Sequence, residues 1–335
     1  MTGHFSRRSL FGTGAAALAL APSLARAATT TTGTHIPSPP PPAVAVPGFA
    51  DAIQGVADPQ NRLTVEAYVN GKGPYHFVVD TGADRSVLAE DLAEPLGLKP
   101  ADDVIVQGIA RALPARAARL DNLKIGRVEV ESLVMPLLPR VWLGADGYLG
   151  LDVIDKQSVT FDFVKQRMIV EPSGDQRGSL YFDDVAQVRV NGTKGRLTAI
   201  NCTVNEVRCF VFVDSGAEYS IGNSALFSEM QKNGASFIND KPVPLVGVTG
   251  GTAFGSVTEL HQIRMGQVTF SKGALVVSDL PVFDIWGLGD KPAMFLGMNL
   301  LKTVSTFAID YGRKELRFRL ARADVQIASR LSGAA

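Results

Sequence analysis

The chain has 335 residues, of which 46% are hydrophobic and 20% charged, and its 33 basic and 33 acidic residues give a formal net charge of zero. This composition is typical of a globular protein long enough for one large domain or two smaller ones. It argues against a nucleic-acid partner, which needs an excess of basic residues, and no apolar run reaches the roughly 20 residues of a membrane-spanning helix.

The first 27 residues have the pattern of an export signal. Arg7 and Arg8 precede a mildly apolar run to Leu24, which is followed by Ala25-Arg26-Ala27. Paired arginines, a weak apolar segment and a small-x-small site predict a twin-arginine signal peptide over residues 1–27, with a disordered basic start as the alternative. The protein is therefore predicted to be periplasmic or secreted.

Cleavage after Ala27 would remove three arginines and no acidic residue, leaving a net charge of −3. A weakly acidic chain has no electrostatic attraction to nucleic acid or to anionic membrane surfaces. We therefore expect no nucleic-acid partner, and no membrane contact once the signal is removed.

The next segments predict a linker and then a first lobe made of short strands. Residues 28–60 are rich in Thr and Pro and are predicted to be an extended linker. A lobe is predicted over residues 61–173. Its elements in chain order are strand 63–69, the turn Asn70-Gly71, a strand from 75 into Asp80, helix 88–96, and strands 104–106, 117–125, 128–133, 158–163 and 167–171.

The second half repeats this order over residues 174–322, and residues 323–335 are predicted to be a tail. The repeated elements are a hairpin centred between Asn205 and Glu206, a strand into Asp214, helix 225–230, and strands 243–246, 256–265, 306–311 and 315–320. Asp80 and Asp214 are 134 residues apart, a spacing that indicates a duplicated small domain rather than a solenoid repeat. Many short strands and only brief helices predict an all-β protein with a pseudo-twofold internal repeat.

Each half contains an apolar strand that ends in a carboxylate. The two sequences are Asp80-Thr81-Gly82-Ala83 and Asp214-Ser215-Gly216-Ala217, each with a Ser six residues after the Asp. An Asp at the end of such a strand points into an enclosed place, and two sites built alike can face each other and share one proton. The alternative is a pair of ordinary turns, which Asp and Gly favour. The matched contexts favour the paired site.

This pair of motifs closely resembles the active-site signature of aspartic peptidases. The short lobes resemble the retropepsin-like branch, and the presence of both halves in one chain resembles the pepsin-like enzymes. The resemblance covers roughly residues 60–320. It implies a two-lobed acid-protease fold and an endopeptidase in which Asp80 and Asp214 activate a water molecule. The rival hypothesis is a catalytically silent peptide-binding or structural periplasmic protein with the same fold.

The resemblance also implies roles for the neighbours of the two Asp residues. Thr81 and Ser215 would hydrogen-bond to the opposite loop, and Gly82 and Gly216 would lie beside the substrate backbone. Asp84 matches a position that contacts the substrate main chain, and Glu218 is its counterpart; solvated turn residues are the alternative. Two further segments match the family motif that packs beneath the catalytic loop: Tyr148-Leu149-Gly150 and Phe295-Leu296-Gly297.

A glycine-rich turn in the second half is typical of a flap, because a loop that opens and closes needs glycine hinges. The residues predicted to bind substrate there are Gly247, Val248, Thr249 and Gly250. The equivalent segment of the first half, 107–112, is poorer in glycine and carries Arg111, so either one flap dominates or the first loop serves another purpose.

Trp142 and Trp286 are the only two tryptophans and come shortly before the two Gly motifs. By resemblance this loop walls the substrate pockets, and two core tryptophans are the alternative. The predicted partner is a peptide or protein substrate, the predicted oligomeric state is a monomer, and no cofactor is predicted because the sequence has no phosphate-binding or dinucleotide-binding motif.

The two cysteines, Cys202 and Cys209, are symmetric about the centre of the predicted hairpin at Asn205. They would therefore lie opposite each other on paired strands and form a disulfide in an oxidising compartment, with two buried thiols as the alternative. No metal site is predicted, because the four histidines (His4, His35, His76 and His261) are scattered and no cluster has ligand spacing.

Overall fold

The computed structural model describes residues 19–20, 52–57, 63–126, 128–173, 185–193, 196–238 and 241–320. Most of the predicted signal peptide, most of the predicted linker and the predicted tail lie outside these ranges. Within them, no helix has the length and apolar character needed to cross a membrane.

The first half consists of eleven strands and short helical turns. Its strands are β1 (Ala19–Leu20), β2 (Ala52–Ala57), β3 (Leu63–Val69), β4 (Lys72–Val79), β5 (Val87–Ala89), β6 (Lys99–Gln107), β7 (Ala112–Ile125), β8 (Val128–Leu138), β9 (Gly147–Leu149), β10 (Gln157–Asp162) and β11 (Arg167–Pro172). Its helices are a 3-10 turn (Glu90–Leu92), α1 (Ala93–Leu96), α2 (Arg140–Leu143) and α3 (Leu151–Ile154).

The second half repeats this series of elements. Its strands are β12 (Val185–Thr193), β13 (Arg196–Val204), β14 (Val207–Val213), β15 (Ile221–Gly222), β16 (Val243–Val246), β17 (Thr252–Met265), β18 (Val268–Val277), β19 (Ala293–Leu296), β20 (Thr306–Asp310) and β21 (Glu315–Arg319). Its helices are α4 (Ser224–Lys232), α5 (Pro281–Ile285) and α6 (Met298–Leu301).

Each half closes into a six-stranded barrel. The N-terminal ring runs β3-β4-β9-β5-β8-β7 and returns to β3. The C-terminal ring runs β13-β14-β19-β15-β18-β17 and returns to β13. Every strand of one ring has its counterpart at the same place in the other, so the predicted all-β, two-lobed architecture with an internal repeat is confirmed.

A third antiparallel sheet joins the two barrels in the strand order β2-β11-β10-β20-β21-β12. Its central strands, β10 and β20, come from different halves, and Phe161 stacks on Phe307 across them with ring centroids 4.4 Å apart. Because both halves contribute to this sheet and to one apolar cluster, the lobes share a core beneath the cleft.

The strands follow from the pattern of the sequence. In β3, Val65, Ala67 and Val69 are buried while the alternate residues Glu66 and Tyr68 are exposed, as expected for a barrel wall with one solvated face. The last three residues of β4 and of β14 are all buried instead, where these strands lead into the loops of Asp80 and Asp214. Both faces of these strand ends are therefore covered.

Three details differ from, or add to, the predictions. Residues 88 and 89, the first two of the predicted helix 88–96, belong instead to β5, which pairs with β8 and β9. Residues 52–57, inside the predicted linker, form β2. Cys202 and Cys209 lie directly opposite each other in the β13–β14 pair and are buried, but the structure has them as thiols, the alternative that the sequence left open.

Candidate active site

The two Asp residues end the buried strands β4 and β14, and the loop that follows each strand folds back on its own carboxylate. Asp80 Oδ1 accepts hydrogen bonds from the backbone N–H groups of Gly82 and Ala83, at 2.9 and 3.0 Å. Asp214 Oδ1 accepts the same two bonds from Gly216 and Ala217, at 2.9 and 3.1 Å. One oxygen of each carboxyl is thus held by its own loop.

The two loops are joined by four reciprocal hydrogen bonds. Thr81 Oγ1 donates to the Val213 carbonyl at 3.1 Å and accepts from the Ser215 N–H at 3.0 Å. Ser215 Oγ donates to the Val79 carbonyl at 2.7 Å and accepts from the Thr81 N–H at 3.2 Å. Because Thr81 and Ser215 lie in different lobes and are both buried, this network fixes the two Asp residues relative to each other.

The carboxyls of Asp80 and Asp214 are adjacent and almost completely shielded from solvent, with 1% of each residue exposed. A Cβ atom on Gly216 would overlap the Asp80 carboxyl, so only glycine allows the second loop to approach so closely. Burial, and next the charge of Asp80, raises the pKa of Asp214 well above its ordinary value. The pair therefore favours a state with one shared proton.

A second layer beneath each loop is also duplicated. The backbone N–H groups of Asp80 and Asp214 donate to Leu149 and Leu296, which belong to the two predicted Gly motifs. Ser86 Oγ donates to Asp152 Oδ1 and accepts from the Gly150 N–H, whereas Ser220 Oγ donates to Asn299 Oδ1 and accepts from the Gly297 N–H. These bonds explain the Ser six residues after each Asp.

Comparison with known families agrees with this arrangement. A family model for aspartyl proteases matches residues 65–153, which include the first catalytic loop and the first Gly motif. This match supports an assignment to an aspartyl protease family. A comparison with curated proteins finds no match. The matched residues lie in the N-terminal lobe, and the second lobe is related to the first by its strand order and loop geometry.

The two hairpins that hold the predicted flaps meet at their tips. The first flap is the β6–β7 hairpin and the second is the β16–β17 hairpin. Ile109 and Thr249, at the two tips, are 1% and 0% exposed, and Val248 is also buried. The first loop therefore packs against the tip of the second flap across the lobe boundary.

The two tryptophans occupy different surroundings although their positions in the repeat are equivalent. Trp142, in α2, lies against the tip of the second flap, because a Cβ atom on Gly250 would overlap its ring. Trp286, just after α5, packs on Phe212 and Phe295 of its own lobe, with ring centroids 4.7 and 5.4 Å away. Trp142 thus contacts a flap, and Trp286, which is half-buried, packs against the core of its own lobe.

The remaining predicted residues, Asp84 and Glu218, are half-buried at equivalent places just after the two catalytic loops. The loops are anchored beside them by equivalent backbone carbonyls: Ala83 accepts from the Leu151 N–H, and Ala217 accepts from the Met298 N–H. Their placement supports the predicted symmetry of the two loops.

Three residues at the site had no assigned role in the sequence predictions. Asp152 and Asn299 each lie two residues after a motif glycine, and this shared spacing could identify them as equivalent residues from the sequence. Tyr311, at the end of β20, is buried, and burial, followed by the charges of Asp80, Asp155 and Asp214, raises its pKa above the ordinary value. It therefore remains a neutral phenol in the core beneath the site.

Proposed function

We propose that the chain is an aspartic endopeptidase that hydrolyses peptide bonds with a water molecule activated by Asp80 and Asp214. The observation that carries this function is the pair of adjacent, buried carboxyls, held across the lobes by the four bonds of Thr81 and Ser215. A site that served only to bind peptides would gain nothing from two desolvated acids side by side, because their repulsion destabilises the fold.

In the proposed reaction the pair begins with one shared proton, because burial and the charge of Asp80 raise the pKa of Asp214. The ionised carboxyl takes a proton from water as the water oxygen bonds to the peptide carbonyl carbon, and the protonated carboxyl donates to the carbonyl oxygen. The C–N bond of the tetrahedral gem-diol then breaks as the carboxyl that took the water proton gives it to the nitrogen, which leaves as an amine. The other carboxyl takes back a proton from a gem-diol hydroxyl, which becomes the carbonyl oxygen of the acid product. The two carboxyls together then carry one proton, as they did at the start.

Several further features belong to this proposal. We infer that the protein is exported through the signal at Arg7 and Arg8, acts in the periplasm or outside the cell, works as a monomer and needs no cofactor. Replacing Arg7 and Arg8 together by Lys should leave the precursor in the cytoplasm, whereas unchanged export would exclude the twin-arginine route.

Digestion of a mixed peptide library by the protein starting at Ala28 tests the function, with Asp80→Asn as the matched control. We expect cleaved products from the parent, none from the variant, and similar thermal stability for both. A folded parent protein that binds peptides but cleaves none of them throughout the range from acid to neutral pH would support the silent peptide-binding alternative instead.

A further inference from the structure

Arg111 crosses the boundary between the lobes and holds the tip of the opposite flap. Its Nε and Nη2 atoms both donate to the Thr249 carbonyl, at 2.9 and 2.7 Å. Thr249 Oγ1 donates back to the Arg111 carbonyl at 3.2 Å. Three hydrogen bonds therefore join one residue of each flap, and two of them come from the fork of a single guanidinium.

The side chain of Arg111 also rests on the N-terminal wall of the cleft. Its guanidinium carbon lies 5.6 Å from the ring centroid of Trp142, within the range of a cation–π contact. Gly250 of the second flap lies against the same ring. Trp142 is thus a common support for Arg111 and for the flap tip that Arg111 holds.

The glycines of both flaps are what allow this contact. A Cβ atom on Gly108 would overlap the side chain of Thr249, and one on Gly247 would lie 2.6 Å from Ile109 Cγ1. Each tip therefore nests against the other, which accounts for the burial of Ile109 and Thr249. The two flaps close over the cleft as one interlocked unit.

The guanidinium contact has no counterpart in the second flap, although the two flaps are otherwise equivalent. The first flap turn closes with a bond from the Gly108 N–H to the Arg111 carbonyl, and the second with a bond from the Gly247 N–H to the Gly251 carbonyl. Arg111 and Gly251 thus occupy equivalent positions. Since Gly251 has no side chain, the second flap has no counterpart of the guanidinium fork, and Thr249 reaches back with a single hydroxyl bond.

We propose that Arg111 is a positioning residue that latches the second flap over the Asp80–Asp214 pair in the absence of substrate. Opening the cleft then requires the Thr249 carbonyl to leave the guanidinium fork, and both flaps are released together. The latch forms whether or not the site hydrolyses peptides, so amide hydrogen exchange can test it separately from activity.

The test compares exchange at the two flap tips, residues 107–112 and 247–251, in the purified protein and its variants. Arg111→Ala should speed exchange at both tips by roughly 10- to 100-fold, as expected for loss of hydrogen bonds to a charged group. The flap tips of Arg111→Lys should exchange nearly as fast as those of Arg111→Ala, because an ammonium keeps the charge but not the fork of two donors. Arg119→Ala removes an exposed arginine from β7, the strand that follows Arg111, and should match the parent.

Three results would overturn the latch. One is unchanged exchange at residues 247–251 in Arg111→Ala. Another is faster exchange confined to residues 107–112, which would mean that Arg111 orders only its own flap. The third is an equal rise in the buried strands β4 and β14, which would mean that Arg111 contributes to global stability rather than to closure.

Discussion

The two lobes are nearly identical where they meet at Asp80 and Asp214 and differ where they meet at the flap tips. Each catalytic loop holds its Asp through the same two backbone bonds, and each lends one hydroxyl to the other loop. At the flaps, by contrast, the position equivalent to Arg111 is a glycine in the second lobe. Trp142 supports the flap of the opposite lobe, whereas Trp286 packs within its own lobe. The two lobes are thus alike where their carboxyls are proposed to share a proton, and they differ where a side chain of one lobe holds the flap of the other.

A second difference lies beneath the loops. Ser86 is held by Asp152 in the N-terminal lobe, and Ser220 is held by Asn299 in the C-terminal lobe. Arg85 is near Asp152, and Tyr219 has the equivalent position near Asn299. The same hydrogen-bond geometry is therefore made with a charged group in one lobe and with a neutral group in the other.

The largest expected effect tests whether the two lobes contribute equally to the chemistry. Asp80→Asn and Asp214→Asn should each lower kcat/KM by on the order of 1,000-fold or more, and the double variant should be little worse, because each change removes the same shared-proton state. Kinetics on one cleaved peptide measure this. An Asp214→Asn protein that is folded and retains substantial activity would show that the second carboxyl is only a turn residue.

The next effect concerns the bonds that join the loops. Thr81→Val removes the acceptor of the buried Ser215 N–H, and Ser215→Ala removes the acceptor of the Thr81 N–H. Each should lower the free energy of unfolding by about 1–3 kcal/mol, measured by urea denaturation. Because the two residues form one network, the double variant should lose less than the sum. Additive losses would indicate two independent anchors.

The parts of this site that sequence could predict are those that depend on neighbours in the chain. The bounds of strands 63–69 and 243–246 match the structure, and local hairpin symmetry correctly placed Cys202 opposite Cys209. The helix prediction is wrong at residues 88 and 89 because helical spacing is a local signal, whereas their strand is set by partners near residues 137 and 148. Arg111 is 138 residues from Thr249, so no local pattern could reveal their contact.

A smaller effect should follow from exchanging the residues beneath the loops, and it should depend on pH. Burial raises the pKa of Asp152, against opposing hydrogen bonds from Ser86 and the charge of Arg85. Since the pKa is raised in the folded state, stability from this group is present below its ordinary pKa and is lost as the pH rises through the raised value. Asp152→Asn should therefore raise Tm relative to the parent increasingly from acid to neutral pH.

The reverse exchange, Asn299→Asp, sharpens the same comparison. The new carboxylate would have Tyr219 where Asp152 has Arg85, so we expect a loss of about 1–2 kcal/mol at neutral pH that shrinks on acidification. Thermal denaturation over a pH series measures both variants. Equal and pH-independent shifts would show that the charge on Asp152 has no bearing on its hydrogen bonds to Ser86.

The smallest effect comes from the hairpin turns at the far ends of the catalytic strands. The N-terminal turn has Asn70 and Gly71 at φ 49° and 74°, and the C-terminal turn has Asn205 and Glu206 at 44° and 68°. Both turns need two residues in the left-handed region, which glycine adopts freely and glutamate does not. The side chains of Asn70 and Asn205 make the same bonds, each accepting two backbone N–H groups, from residues 121 and 122 or from residues 261 and 262.

Glu206→Gly should therefore raise the free energy of unfolding by about 0.5–1 kcal/mol, since relief of the left-handed strain exceeds the added entropy of the unfolded chain. Gly71→Glu should lower it by a similar amount, and by conformational strain alone, because a Cβ atom there would meet no atom within 4 Å. Urea denaturation of both variants gives the comparison, and kcat/KM should not move in either, because the turns are remote from the cleft. A destabilised Glu206→Gly protein would mean that the exposed Glu206 side chain contributes more to the hairpin than its backbone strain removes.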